Sequence, residues 1–163
     1  MREVPPDTLI KEAEALAGKE VGWHFHLLLK QCAFNEKRGT YAMVLENEET
    51  GETMAARFSN NPAAQAKKMA GLSFGAGFME KEGGAHEPGF DEMMKMARAL
   101  DEKKVEWHHH LFPPGCVFNE KEGKYVIMLE DEKGRICSSL EYALNPSGDM
   151  AKLEKLFYKD VDR

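Results

Sequence analysis

The chain has 163 residues, of which 42% are hydrophobic and 31% charged, and carries a formal net charge of −6. That length suits one compact domain or two small ones, and the composition excludes a disordered or fibrous chain. The acidic balance argues against nucleic acid, because the basic residues, densest at Lys67-Lys68 and Lys103-Lys104, form no phosphate-neutralising footprint.

The first residues, Met1-Arg2-Glu3-Val4-Pro5-Pro6-Asp7, are polar, and no apolar segment behind them is long enough for a signal peptide. No run approaches the roughly 18 apolar residues of a membrane span. A cytoplasmic protein without membrane contact is expected, with a metal ion, a small molecule or another copy of the chain (a homo-oligomer) as partner. The cysteines Cys32, Cys116 and Cys137 are too few, and odd in number, for a disulfide scaffold.

A repeat organises the chain. Trp23-His24-Phe25-His26-Leu27, followed by Cys32, returns 84 positions later as Trp107-His108-His109-His110-Leu111, followed by Cys116. Residues 23–48 and 107–132 agree at 14 of 26 positions. The reading is an internal duplication: a first α-β-β-β-α unit over 1–75, a Gly-rich linker over 76–89 and a second unit over 90–163. Each unit is an antiparallel meander flanked by an N-terminal and a C-terminal helix, an α+β class. A half alone has a small core and a costly edge strand, so the halves are expected to pack about a pseudo-two-fold axis.

In chain order, each half opens with a helix whose N-cap is expected at Asp7 or Asp91, since a carboxylate can accept from the free amides of a first turn. Leu9, Ile10, Ala13, Leu16 and Ala17 share one helical face, as do Met93, Met94, Ala97 and Leu100. A strand follows at roughly 21–29 and 105–112. Side chains alternate along a strand, so Trp23, Phe25, Leu27 and Leu29 share one face and His24, His26 and Leu28 the other. In the second copy His108, His110 and Phe112 share the histidine face, and His109 stands on the tryptophan face.

Cys32–Gly39 and Cys116–Gly123 read as short strands entering turns, with Asn35 and Asn119 as turn residues. Tyr41–Leu45 and Tyr125–Leu129 are rich in strand formers. Further strands are expected at 53–58 and 136–142. Asn61-Pro62 and Asn145-Pro146 then open the closing helices, Asn as cap and Pro at the first helical position.

Two histidines at i and i+2 on a strand point the same way, about 7 Å apart along it, close enough for both rings to reach one ion. With Cys32 or Cys116 folding back from the next connection, each half offers a His₂Cys set: His24, His26 and Cys32, then His108, His110 and Cys116. Such a set suits zinc or another late transition metal. An open fourth position, with Glu36 or Glu120 as base, would give a hydrolytic or lyase-type enzyme. The competing reading keeps the histidines in a hydrogen-bonded polar groove and the cysteines as small hydrophobes. Trp23 and Trp107 read first as core anchors and secondarily as the walls of a ligand pocket. Cys137 matches no cysteine in the other half and reads as packing. Two other classes stand beside a metal protein: a non-catalytic interaction module using the pseudo-symmetric surface, and a thiol redox protein pairing Cys32 with Cys116.

Overall fold

A computed structural model describes residues 2–19, 21–73, 85–159 and 161. Among them the chain is α+β, with four helices and two sheets of four and three strands. The order is β1 (Arg2–Glu3), α1 (Pro6–Gly18), β2 (Trp23–Leu28), β3 (Tyr41–Asn47), β4 (Thr53–Phe58), α2 (Ala63–Ser73), then α3 (Gly89–Glu102), β5 (Trp107–Phe112), β6 (Tyr125–Asp131), β7 (Ile136–Tyr142) and α4 (Ser147–Phe157). Of the expected Gly-rich connection over 76–89, residues 76–84 lie outside the described residues.

The first sheet runs β1-β4-β3-β2 and the second β5-β6-β7. Both meanders are antiparallel, and β1 adds to the first sheet in parallel, Arg2 opposite Met54. β2 and β5, the outer strands of the two sheets, lie alongside each other.

Alternation decides what each face buries. Trp23 and Leu27 join Leu9, Leu16, Met43, Leu45 and Met69 under α1 and α2. Trp107 and Leu111 join Phe90, Met93, Ile127, Leu129 and Leu153 under α3 and α4. Burying one such large side chain contributes about 1.5–3 kcal/mol, so these two layers hold the helices to the sheets. A period of two then commits the intervening residues of β2 and β5, the histidines, to the opposite faces. Those faces carry the smaller clusters of Leu28, Cys32 and Val44 and of Phe112, Cys116 and Val126, both packed against Phe34 and Phe118.

Four local expectations change. The first and third helices begin at Pro6 and Gly89 with Pro5 and Pro88 in the cap positions, so Asp7 and Asp91 lie inside the first turn. There they complement the helix dipole instead of capping. Pro146 takes the cap position of α4, and α2 starts at Ala63; the side chain of Asn61 donates to Glu106 Oε2 at 2.7 Å instead. The segments Cys32–Gly39 and Cys116–Gly123 contain no strand and are turns. The parallel strand β1 adds a sheet edge that its two residues gave no alternation to announce.

Candidate metal centre

Each hairpin sets a glutamate opposite its first histidine. His24 pairs with Glu46 across β2 and β3, and His108 with Glu130 across β5 and β6. Paired residues project to the same face, so a carboxylate joins two imidazoles on the face turned away from the helices. Glu46 and Glu130 are buried at the ends of otherwise apolar strands, where an ionised group needs partners.

The cysteines arrive from the other sheet. The connection after β2 folds as two successive turns, Cys32 N–H to Leu29 O and Asn35 N–H to Cys32 O, and the connection after β5 repeats them at Pro113, Cys116 and Asn119. Asn35 ties its loop by donating to Leu29 O and Thr40 O, and Asn119 by donating to Phe112 O, Pro113 O and Lys124 O. Each loop reaches across rather than back. Ala33 N–H donates to Glu130 Oε2 at 2.6 Å, and Val117 N–H to Glu46 Oε2 at 3.2 Å. Phe34 lies against the His110 ring and Phe118 against the His26 ring.

Two buried groups result. Site A is His24, His26, Glu46 and Cys116; site B is Cys32, His108, His110 and Glu130. Within each, one donor atom per residue lies within 4.8 Å of all the others. In site A, Cys116 Sγ is 3.4 Å from Nε2 of both His24 and His26 and 3.3 Å from Glu46 Oε1, and His24 Nε2 is 3.2 Å from Glu46 Oε1. In site B, Glu130 Oε1 is 3.1 Å from Cys32 Sγ and from Nε2 of both His108 and His110, while Cys32 Sγ is 3.7 Å from His110 Nε2. Zinc bonds of about 2.0–2.1 Å to N or O and about 2.3 Å to S give tetrahedral edges of roughly 3.3–3.6 Å. The contacts quoted fall around those edges.

Hydrogen bonding alone leaves this crowd short. His108 Nε2 is fully buried and only 3.1 Å from Glu130 Oε1, yet is not aligned to bond it, and no other described group meets it. Buried polar atoms are ordinarily partnered. A dication at the centre would satisfy the four donors together, and one thiolate plus one carboxylate would balance its charge. These eight residues could therefore hold two metal ions.

The electrostatics differ between the sites. Burial pushes both the Cys32 and Cys116 thiols up, and Glu130 adds to the rise at Cys32. Burial also opposes the charged form of His24, but its bonds to Cys116, Glu46 and Glu48 outweigh it and push the ring up to about 11. At the other three rings burial wins: His26 in site A is lowered well below its usual value, His108 is lowered, and His110, also repelled by His108, falls to about 3. Burial works to raise the carboxyls of Glu46 and Glu130, yet their histidine contacts hold both below the usual carboxylate range.

The six expected donors thus all enter the two groups, but with the cysteines exchanged: Cys116 joins His24 and His26, and Cys32 joins His108 and His110. The carboxylates are Glu46 and Glu130, while Glu36 and Glu120 are exposed on the loops. Each group thus offers four protein donors, one more than the His₂Cys set expected from the sequence. The pattern that could have found the glutamates is their own recurrence at the 84-residue offset. His109 packs on Phe157 and contacts Glu154 at 3.4 Å, away from both groups. Trp23 and Trp107 sit in the apolar layers under the helices, where Trp107 Nε1 donates to Asp101 at 2.8 Å. Cys137 is half-buried against the second layer. Cys32 and Cys116 are both free, buried thiols and enter different groups.

No helix among the described residues is long and apolar enough to cross a membrane. The chain matches no family model, no curated protein and no solved structure.

Proposed function

We propose that this protein binds two transition-metal ions, zinc fitting best, one in site A and one in site B, and that the ions lock two duplicated halves together. One observation carries the reading: two imidazoles, a cysteine and a glutamate, contributed by both sheets, bring their donor atoms within 4.8 Å of one another in a buried setting, twice. Sulfur and imidazole together select a borderline d-block ion over calcium or magnesium, which prefer all-oxygen sets. Closed four-donor sites are the structural kind, whose binding energy stabilises the fold. Every donor of site A has a counterpart in site B at the 84-residue offset, which supports a duplicated unit with exchanged loops.

Elemental analysis of the purified, untagged protein tests this, with Glu46→Gln and Glu130→Gln as the variants because each removes one donor from a different site. About two equivalents of metal are expected in the wild-type protein, about one in each single variant and none in the double, with circular dichroism confirming that the sheets persist. Protein that contains no metal and takes up none of zinc, cobalt, nickel or iron when offered would overturn the proposal.

A further inference from the structure

We infer that the two sites are unequal and that Glu48 is the positioning residue that makes site A the tighter one. The inference rests on the metal reading above and concerns the atom of each first histidine that faces away from the donors. His24 Nδ1 lies 2.8 Å from Glu48 Oε2. An imidazole ligand anchored in this way by a carboxylate is fixed in one tautomer and orientation and made more basic, and loss of such a partner typically costs 10–100-fold in metal affinity.

Site B lacks the anchor. Glu132 stands 84 residues after Glu48, but its carboxylate accepts from Glu106 N–H at 3.1 Å, and the buried His108 Nδ1 meets no partner among the described residues. The cause is legible one turn away. Gly22 precedes Trp23, its carbonyl accepts from Glu48 N–H, and a Cβ there would come within 3.0 Å of Glu48 Oε1. Glycine leaves room for the Glu48 carboxylate to reach over His24. The position 84 residues later is Glu106, whose own amide holds Glu132.

The remaining contacts do not produce the same inequality. His26 Nδ1 and His110 Nδ1 are alike without partners. The loop-amide bond to the glutamate is shorter in site B, 2.6 against 3.2 Å, but it is present in both sites, whereas the histidine anchor is present in one. Glu48 has a side chain 40% exposed, so replacing it leaves the apolar layers intact.

The test titrates metal-free protein with Co²⁺ against a competing chelator, following the thiolate-to-cobalt absorption band. Cys32→Ser leaves site A complete, and Cys116→Ser leaves site B complete. Site A is expected to bind Co²⁺ about 10–100-fold more tightly than site B. Glu48→Ala in the Cys32→Ser background should bring site A down to the affinity of site B, while Glu48→Ala in the Cys116→Ser background leaves site B unchanged. Equal affinities, or a site A unmoved by Glu48→Ala, would overturn the inequality and leave the metal reading standing. No cobalt band in either cysteine variant, or in the unsubstituted protein, would overturn both.

Discussion

The sulfur of Cys32 lies 3.1 Å from Oε1 of Glu130, a residue 98 positions further along the chain and in the other sheet. Cys116 mirrors it at Glu46, 3.3 Å away. Each group of donors is therefore incomplete within either sheet alone. Neither cysteine can coordinate as proposed unless the two sheets are docked, so metal binding and docking are one equilibrium.

Metal removal should therefore loosen the whole molecule. A ligand held at about a thousand times its dissociation constant stabilises a fold by roughly 4 kcal/mol, and each kcal/mol is worth about 2–4 °C in a protein of this size. Exhaustive chelation is expected to lower the melting temperature by about 10 °C or more, reversed by adding zinc. Differential scanning calorimetry with and without chelator checks this, and unchanged melting would argue against metal at either site.

Gly134 gives a second expectation. It adopts a φ of +81° in the β6–β7 turn, and a Cβ there would collide with the carbonyl oxygen of Gln31, in the loop that carries Cys32. Gly51, in the β3–β4 turn, has a similar φ of +77° with nothing near the corresponding position. Gly51→Ala should cost only the backbone strain, about 1 kcal/mol. Gly134→Ala should cost more, because the Cys32 loop must also move, and it should weaken site B selectively. Urea unfolding of the two variants, with a cobalt titration of each, measures both effects; equal costs would mean that the Cys32 loop does not pack as described.

The thiols set the pH dependence. Burial raises both, so at neutral pH the metal-free protein keeps its thiol protons, and coordination requires their release. Protons compete with metal below the raised thiol values, so apparent affinity should climb as pH rises, about tenfold per pH unit for each proton displaced. Zinc titration of the weakly buffered protein with a pH indicator reads the release, and zinc uptake that frees no proton would contradict thiolate coordination.

Much of this was legible in the chain. Period-two alternation put Trp23 and His24 on opposite faces of one strand, and the strands at 53–58 and 136–142 match β4 and β7 in extent. The recurrence of both histidines and the cysteine marked the residues that enter the two groups. What stayed hidden is tertiary. Spacing along the chain says that Cys32 is near His26 in sequence, but the turns fixed by Asn35 carry the loop outward to the other sheet, and nothing local encodes that direction. Glu46 and Glu130 look like the polar ends of apolar strands until hairpin register sets them opposite His24 and His108. Helix starts were displaced by Pro5 and Pro88, which occupy the cap positions that Asp7 and Asp91 were expected to fill.

Paired double variants distinguish exchanged cysteines from cysteines that serve the histidines preceding them in the chain. Native mass spectrometry of zinc-loaded His24→Ala/Cys116→Ser and His24→Ala/Cys32→Ser counts the ions that remain. One zinc is expected in the first variant, whose two lesions fall in site A, and none in the second, whose lesions fall in sites A and B. One zinc retained by His24→Ala/Cys32→Ser and none by His24→Ala/Cys116→Ser would contradict the exchange and return each cysteine to the histidines that precede it in the chain.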